Sequence, residues 1–263
     1  MVLDSRTMSV LSSHTVPARI SCIVCAFNEG PRIGAVLAVA TVHPMIAEVI
    51  VVDDGSSDDT ARVAARYPGV RLISHARNLG KSKAVATGVA AARHDLLMLL
   101  DADLGGLRVD DLTALAAPVL EGSAAVSMSL RRNSLMVFRW LGIDFVSGER
   151  VVDRDLLADV LHDIDKLPRF GIEVFMNKRI IAAGLPIEIA HWRSVTQSRK
   201  TEKLGWWRGV LAEWRMVFDL TGVVHPLDLL AQSIYLARLR RARPLCRRHG
   251  EALDGTAQGL RQD

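Results

Sequence analysis

Two carboxylates one residue apart, Asp101 and Asp103, end the apolar run Leu97-Met-Leu-Leu-Asp-Ala-Asp-Leu-Gly-Gly106. Burying an unpaired carboxylate is costly, so a positive partner must meet them. Two other β-branched runs also end in polar groups: Arg19–Phe27 leads into Ala26-Phe-Asn-Glu29, and Glu48–Val52 into Asp53-Asp-Gly-Ser56. Hard oxygen donors of this kind suit Mg²⁺ or Mn²⁺, ions that keep several waters and bridge to phosphates. One such strand end could be an ordinary turn, whereas three that share a rim make a site.

Sharing a rim requires a particular architecture. Strand-like runs at Arg19–Phe27, Glu48–Val52, Val70–Ser74, Leu96–Leu100 and Ala124–Leu130 alternate with helical patterns at Arg32–Thr41, Asp58–Tyr67, Lys81–Arg93 and Asp110–Leu120. This alternation predicts an α/β fold with a mostly parallel central sheet and helices on both faces. In such sheets ligands bind outside the carboxyl ends of the strands, where these acids fall. Ser57 and Asp58 are candidate N-caps of the second helix, and Pro68-Gly69 stops it. Beyond Leu130 the pattern loosens into a Ser147–Arg150 turn, a short helix at Leu156–Leu161, a helix at Gly171–Gly184 and a strand at Pro186–His191.

Four motifs in order carry a family resemblance: Ala26-Phe-Asn-Glu29, Val51-Val-Asp-Asp-Gly-Ser-Ser-Asp-Asp-Thr60, Asn78-Leu-Gly-Lys81 and Leu100-Asp-Ala-Asp-Leu104. Over about residues 19–203 the chain resembles the inverting nucleotide-sugar glycosyltransferases of family 2, with the GT-A fold, and among them the polyprenyl-phosphate (dolichyl-phosphate) mannose and glucose synthase branch. The resemblance implies transfer from a nucleoside-diphosphate sugar to a polyprenyl phosphate in cell-envelope glycan or glycolipid synthesis. A soluble or polysaccharide acceptor, or a binding protein without turnover, are the alternatives. It makes Asp103 the metal ligand and catalytic residue. Asp101 would face the ribose or an ordered water and stand as a second candidate ligand, and with Ala102 and Asp103 it belongs to the implied donor contacts. A diphosphate cannot meet two carboxylates without a cation between them, and that cation would act as a Lewis acid on the departing diphosphate. Further implied donor contacts are Cys25 and Ala26 through their backbones, Glu29 to the nucleotide, Asp54 to the nucleobase, and Lys81 beside the base and phosphates. Asp53 reads as structural, and Gly55 lets the chain turn. Cys25-Ala-Phe stands where the family commonly has proline, alanine and tyrosine, which removes a hydroxyl and a rigid turn.

The second half is expected to hold the acceptor. Ser147-Gly-Glu-Arg150 resembles the family's Ser-Gly-x-Arg turn, with Arg150 near phosphate and among the candidate catalytic residues. Arg131 and Arg132 are further candidates, because guanidinium groups suit bidentate phosphate contact. Glu173, at a helix start, is the candidate general base. With a phosphate acceptor no base is needed, and Glu173 would instead orient groups. Gln197-x-x-Lys200-x-x-Lys203 resembles a basic loop that closes over donor phosphates.

Composition bounds the rest. The chain has 263 residues, 49% of them hydrophobic, and can bury one substantial core. The boundaries expected are a tail at 1–17, a catalytic domain at 18–200 (donor half about 18–130, acceptor half about 131–200), a basic amphipathic appendage at 201–245 and a tail at 246–263. The first nineteen residues lack the basic start and apolar core of a secretory signal. Cys22 and Cys25 form a Cys-x-x-Cys, but in a strand they point to opposite faces, which favours buried thiols and a reducing setting. From Arg199 to Gly250 eleven Lys/Arg stand against four Asp/Glu, a balance of +7 within a net +4 chain. Within that segment Trp206, Trp207, Val210, Leu211, Trp214, Val217 and Phe218 recur at helical spacing, and a second helix pattern, Leu227–Arg243, follows. A basic, Trp-rich amphipathic segment predicts peripheral contact through 201–243 with the inner face of the cell membrane, from the cytoplasm. The alternative is packing on the catalytic domain or on a second subunit, a homodimer. No nucleic-acid partner is expected, since the basic tail brings no aromatic platform. The absence of Gly-x-Gly-x-x-Gly after the first strand argues against a dinucleotide enzyme.

Overall fold

The computed structural model describes residues 20–132, 134, 142, 144, 147–159, 161–164, 171–197 and 226–240. The strands are β1 (Ile20–Ala26), β2 (Ile46–Asp53), β3 (Val70–Ser74), β4 (Leu96–Asp101), β5 (Leu104–Gly105), β6 (Val126–Arg131), β7 (Arg150–Asp153), β8 (Ile187–Trp192) and β9 (Thr196–Gln197). The helices are α1 (Gly30–Ala40), α2 (Thr60–Ala64), α3 (Lys81–Ala91), α4 (Val109–Leu120), α5 (Asp155–Ala158), α6 (Leu161–Ile164), α7 (Gly171–Ala182) and α8 (Pro226–Leu239). The anticipated alternation is present. The expected tails at 1–17 and 246–263, the Trp-rich stretch 201–221, and Lys200 and Lys203 lie outside the described residues.

Seven strands form one sheet in the order β3-β2-β1-β4-β7-β6-β8. Pairings among β1, β2, β3 and β4 are parallel, as is β6 with β8. β7 is the exception, antiparallel to both β4 and β6. It was not anticipated, because the residues before it read as a turn and its four positions are too few for a periodic signal.

The sheet is buried on both faces, as its continuous apolar strands require. Along β4, Leu96, Met98 and Leu100 enter one hydrophobic layer with α1 and α4, while Leu97 and Leu99 enter the other with α3 and α7. β1 divides likewise: Cys22 lies in the first layer and Cys25 packs against the second, so the two thiols face opposite ways and stay free. Period-two alternation thus places one core on each side of a single sheet.

Two loops at the carboxyl ends of β1 and β2 are laced together. Asn28 accepts the Ser57 N–H at 2.9 Å, Asp58 accepts those of Gly30 (3.0 Å) and Thr60 (2.9 Å), and Thr60 Oγ1 accepts the Glu29 N–H at 2.8 Å. Asp58 therefore braces the loop, while Asp59 stands at the N-cap of α2, which is shorter than expected. Gly55 has φ +71°, and a Cβ there would lie 2.4 Å from the Arg77 carbonyl carbon. Only a residue without a side chain fits this turn against the neighbouring backbone. Gly55→Ala is expected to lower stability by at least about 1–2 kcal/mol, the cost of a left-handed alanine before any clash. Chemical denaturation measures this, and a loss below half that range would contradict the close approach.

Candidate active site

The rim is built by strand direction. β1, β2 and β4 run parallel and end together, so Ala26, Asp53 and Asp101 come to one edge. β7 runs the other way, with Arg150 beside Leu99 of β4, so its beginning lies at that edge. The Ser147–Arg150 turn is thereby delivered next to Asp101. Asp103 lies between β4 and β5, and β5 is pinned by pairing with β9, Leu104 opposite Gln197.

Asp101 has found its positive partner within the chain. Lys81, the first residue of α3, places Nζ 2.7 Å from Asp101 Oδ1 and 2.8 Å from Glu173 Oε1 in the first turn of α7. One ammonium joins the end of β4 to the first turn of α7. A Cβ on Gly148 would sit 2.7 Å from Lys81 Nζ and 2.8 Å from Asp101 Oδ1, so the turn before β7 closes directly over this bridge. A small cavity beneath it is lined by Ile23, Cys25, Lys81, Asp101, Gly148 and Glu173. The second oxygen of Glu173, Oε2, is buried without a hydrogen-bond partner.

Behind the bridge lies a buried polar frame. Arg131 Nη1 is 2.6 Å from Glu149 Oε1 and 4.0 Å from Asp101 Oδ2, and Nη2 is 3.7 Å from Asp144. Ser129 and Ser147 hydroxyls reach Glu149 Oε2 at 2.7 and 2.6 Å, and the Ser134 hydroxyl donates to Asp144 at 2.7 Å. Arg150 is fully buried, donating to Asn177 Oδ1 at 3.2 Å and to the Ser147 carbonyl. Burial pushes the Asp101 carboxyl up, but Lys81 and Arg131 outweigh it and hold the group below the ordinary carboxylate range. Burial lowers the Arg150 guanidinium against the opposing pull of Glu173 and Glu149. Burial also pushes the Cys25 thiol up to about 12, so it stays protonated and serves as packing.

Several of the expected site residues are engaged by the chain itself in this structure. Arg131 and Arg150, read as phosphate contacts, are interior members of the frame, because the nearby acids need internal counter-charges. Arg132 is exposed at the end of β6. Asp54, read as the nucleobase contact, is buried, and both its oxygens are engaged: Oδ1 pairs with His75 Nδ1 at 2.7 Å and accepts the Leu79 N–H at 2.9 Å, while Oδ2 accepts the Gly80 N–H at 2.8 Å. In this structure it shapes the loop leading to Lys81. Asp53 is structural, accepting the Ser56 N–H at 3.2 Å. Glu29 pairs with Arg32 at 2.5 Å. The Ala26 carbonyl accepts the Asp54 N–H at 2.8 Å, and Ala102 is buried. Asp103 is half-buried, within electrostatic reach of Arg32 and Arg131. Sequence reasoning missed Asp144, Asn177 and His75, which carry no motif, and passed over Gly148 and Glu149, both inside the quoted turn.

Gly148→Ala is expected to displace the Lys81 ammonium while leaving the two cores intact. The resulting overpacking should cost about 1–3 kcal/mol. A crystal structure of the variant would show the Lys81–Asp101 contact broken, and a contact kept at its original length would contradict this assignment.

Comparisons with known proteins bear on the family and the fold. The model of the family described as Glycosyl transferase family 2 matches residues 21–170. A dolichyl-phosphate beta-glucosyltransferase of Trichomonas vaginalis is 35% identical over 106 residues, covering 35% of this chain and 31% of that protein. A dodecaprenyl-phosphate galacturonate synthase of Rhizobium johnstonii is 36% identical over 94 residues, 32% of this chain and 28% of that protein. The matched stretch thus spans about a third of the length of these two relatives. An uncharacterized glycosyltransferase of Mycobacterium tuberculosis is 30% identical over 183 residues, 63% of this chain and 80% of that protein. Among solved structures, glucosyl-3-phosphoglycerate synthase from Mycobacterium tuberculosis, in complex with Mn²⁺, UDP and glucosyl-3-phosphoglycerate, superposes with a TM-score of 0.60 at 23% identity. It covers 82% of this chain and 80% of that one, a likeness of fold. With more than half its length matched by the family model and the acidic strand ends gathered on one rim, the chain belongs to glycosyl transferase family 2.

Proposed function

We propose that this protein transfers a sugar, with inversion, from a nucleoside-diphosphate sugar to a polyprenyl phosphate. The observation that carries the reading is the rim itself: where three parallel strands end and an antiparallel one begins, Asp101 meets Lys81 and Glu173 from the first turns of two helices, with Asp103 two residues on, within a family 2 fold. The relatives named for dolichyl and dodecaprenyl phosphate support a lipid phosphate as acceptor.

The donor set fits a divalent cation in part. Among the described residues no group of three His, Cys, Asp or Glu side chains could hold a metal ion. Asp101 has one oxygen committed to Lys81, which makes half-buried Asp103 the main protein oxygen ligand and Asp101 a secondary one. Such a site suits Mg²⁺ or Mn²⁺, which take most of their coordination from substrate phosphates and water. The ion would supply charge to the departing diphosphate. The chain's own groups do the remainder: Lys81 offers a second positive charge, Glu173 accepts a hydrogen bond or orients the acceptor, and the Arg131–Glu149 frame stands behind Asp101.

A lipid acceptor places the protein at a membrane surface. Among the described residues no helix is long and apolar enough to cross a membrane. On α8, Ile234 and Tyr235 are 47% and 51% exposed, and Arg238 lies 5.8 Å over the Tyr235 ring. Apolar and aromatic groups beside arginines suit an anionic interface, and Arg240, Arg241 and Arg243 follow in sequence. We assign this end to peripheral contact with the cytoplasmic face of the membrane, with the catalytic rim in the cytoplasm.

Incubation with labelled UDP-, GDP- or dTDP-sugars, Mn²⁺ and undecaprenyl phosphate is expected to yield a lipid-linked sugar. Transfer to a soluble phosphorylated acceptor and not to the lipid would refute the lipid assignment. Asp103→Asn is expected to weaken metal-dependent donor binding at least tenfold, with stability unchanged to within about 0.5 kcal/mol, as for a substitution outside the core. Unaltered donor affinity with a sharp fall in Tm would show the carboxylate to be structural.

A further inference from the structure

The Lys81 ammonium sits between two carboxylates from different halves of the domain, Asp101 at 2.7 Å and Glu173 at 2.8 Å. Each has a second cation in its surroundings: Arg131 lies 4.0 Å from Asp101, and the buried Arg150 acts on Glu173 through its field. Glu173 is buried, its Oε2 has no hydrogen-bond partner, and Lys81 is the cation paired with its Oε1. Removing the ammonium would therefore leave Glu173 without a hydrogen-bond donor on either oxygen. Gly148 closes over Lys81 Nζ, so the bridge is held by packing as well as by charge. Lysine is a mobile point charge with three donors on a flexible stem, able to exchange partners where an arginine fork would not.

We propose that Lys81 is a positioning residue that couples the two substrates: its ammonium holds Glu173 in reserve until a nucleoside diphosphate competes for it. This rests on the donor site assigned above. A diphosphate brings several negative charges to the rim, and Lys81 starts a helix whose dipole also favours an anion. As the ammonium turns to the diphosphate, Glu173 is left with both oxygens without a donor, and it then accepts a hydrogen bond from the P–OH of a monoprotonated acceptor phosphate or from a hydroxyl of the donor sugar. Donor binding therefore precedes acceptor binding. An acceptor phosphate arriving first would meet a carboxylate already engaged.

Crystal structures of the full chain with and without UDP, GDP or dTDP plus Mn²⁺ test the coupling. The Lys81 Nζ to Glu173 Oε1 contact is expected in the free protein and lost, beyond 4 Å as an order-of-magnitude limit for an ion pair, in the nucleotide complex. Calorimetry on Lys81→Met should show nucleoside-diphosphate affinity reduced tenfold or more, with Lys81→Arg recovering part of it. Initial-rate patterns should be ordered, donor first, in the wild type. A bridge unchanged in the nucleotide complex, or Lys81→Met that loses Tm but keeps nucleotide affinity, would overturn the coupling and leave Lys81 a structural brace. Should Lys81→Met fail to fold, the pair of wild-type structures decides alone. If the wild type bound none of the three nucleotides, the donor site itself would be refuted, and the coupling with it. Binding with an intact bridge would refute the coupling only.

Discussion

The structure depends on one constraint: carboxylates at buried strand ends need cations, and this chain supplies them internally. Lys81 meets Asp101 and Glu173, Arg131 meets Glu149, and Arg150 lies in the field of all of them. Ion pairs taken out of water repay their desolvation only when geometry is good and the remaining donors and acceptors are satisfied. Here serine hydroxyls fill most of the remaining positions around Glu149 and Asp144. Satisfaction is incomplete: Oε2 of Glu173 and the Nε atoms of Arg131 and Arg150 are buried without a hydrogen-bond partner, and a buried polar group left so costs about 1–3 kcal/mol.

Strand direction makes the cluster possible. Parallel strands deliver their ends to one edge, so acids far apart in sequence meet there without any special loop. The reversed β7 adds a different kind of element, a strand beginning, and with it a glycine that can lie against the Lys81–Asp101 pair. A parallel strand in that place would have sent its first residues to the far edge. The lacing of Asn28, Asp58 and Thr60 then fixes the neighbouring loops, so the rim is set by backbone and short side chains.

The arginines show how burial reassigns a residue type. A guanidinium at a site reads naturally as a phosphate contact, and exposed Arg132 keeps that possibility open. Arg131 and Arg150, a strand end and a strand start, are enclosed, and groups of the chain take up their donors: Glu149 for Arg131, the Asn177 amide and the Ser147 carbonyl for Arg150. Asp54 follows the same logic with the sign reversed: its oxygens accept loop N–H groups that would otherwise be unpaired, and the loop it shapes is the one that presents Lys81.

Amino-acid order by itself determined the layered α/β fold, because period-two apolar runs separated by helical patterns have few other solutions. It also located the acidic strand ends, the Ser147–Arg150 turn and Glu173, since these residue types stand out locally. What tertiary structure decided was pairing. That Lys81 bridges Asp101 and Glu173 across twenty and ninety-two positions is a matter of which elements pack together. Nor could spacing reveal that four residues after a turn form an antiparallel strand in the middle of a sheet, because their hydrogen bonds lie with β4 and β6. Side-chain chemistry is written locally, but the partner that satisfies each charge is chosen by burial, and burial is a property of the folded whole.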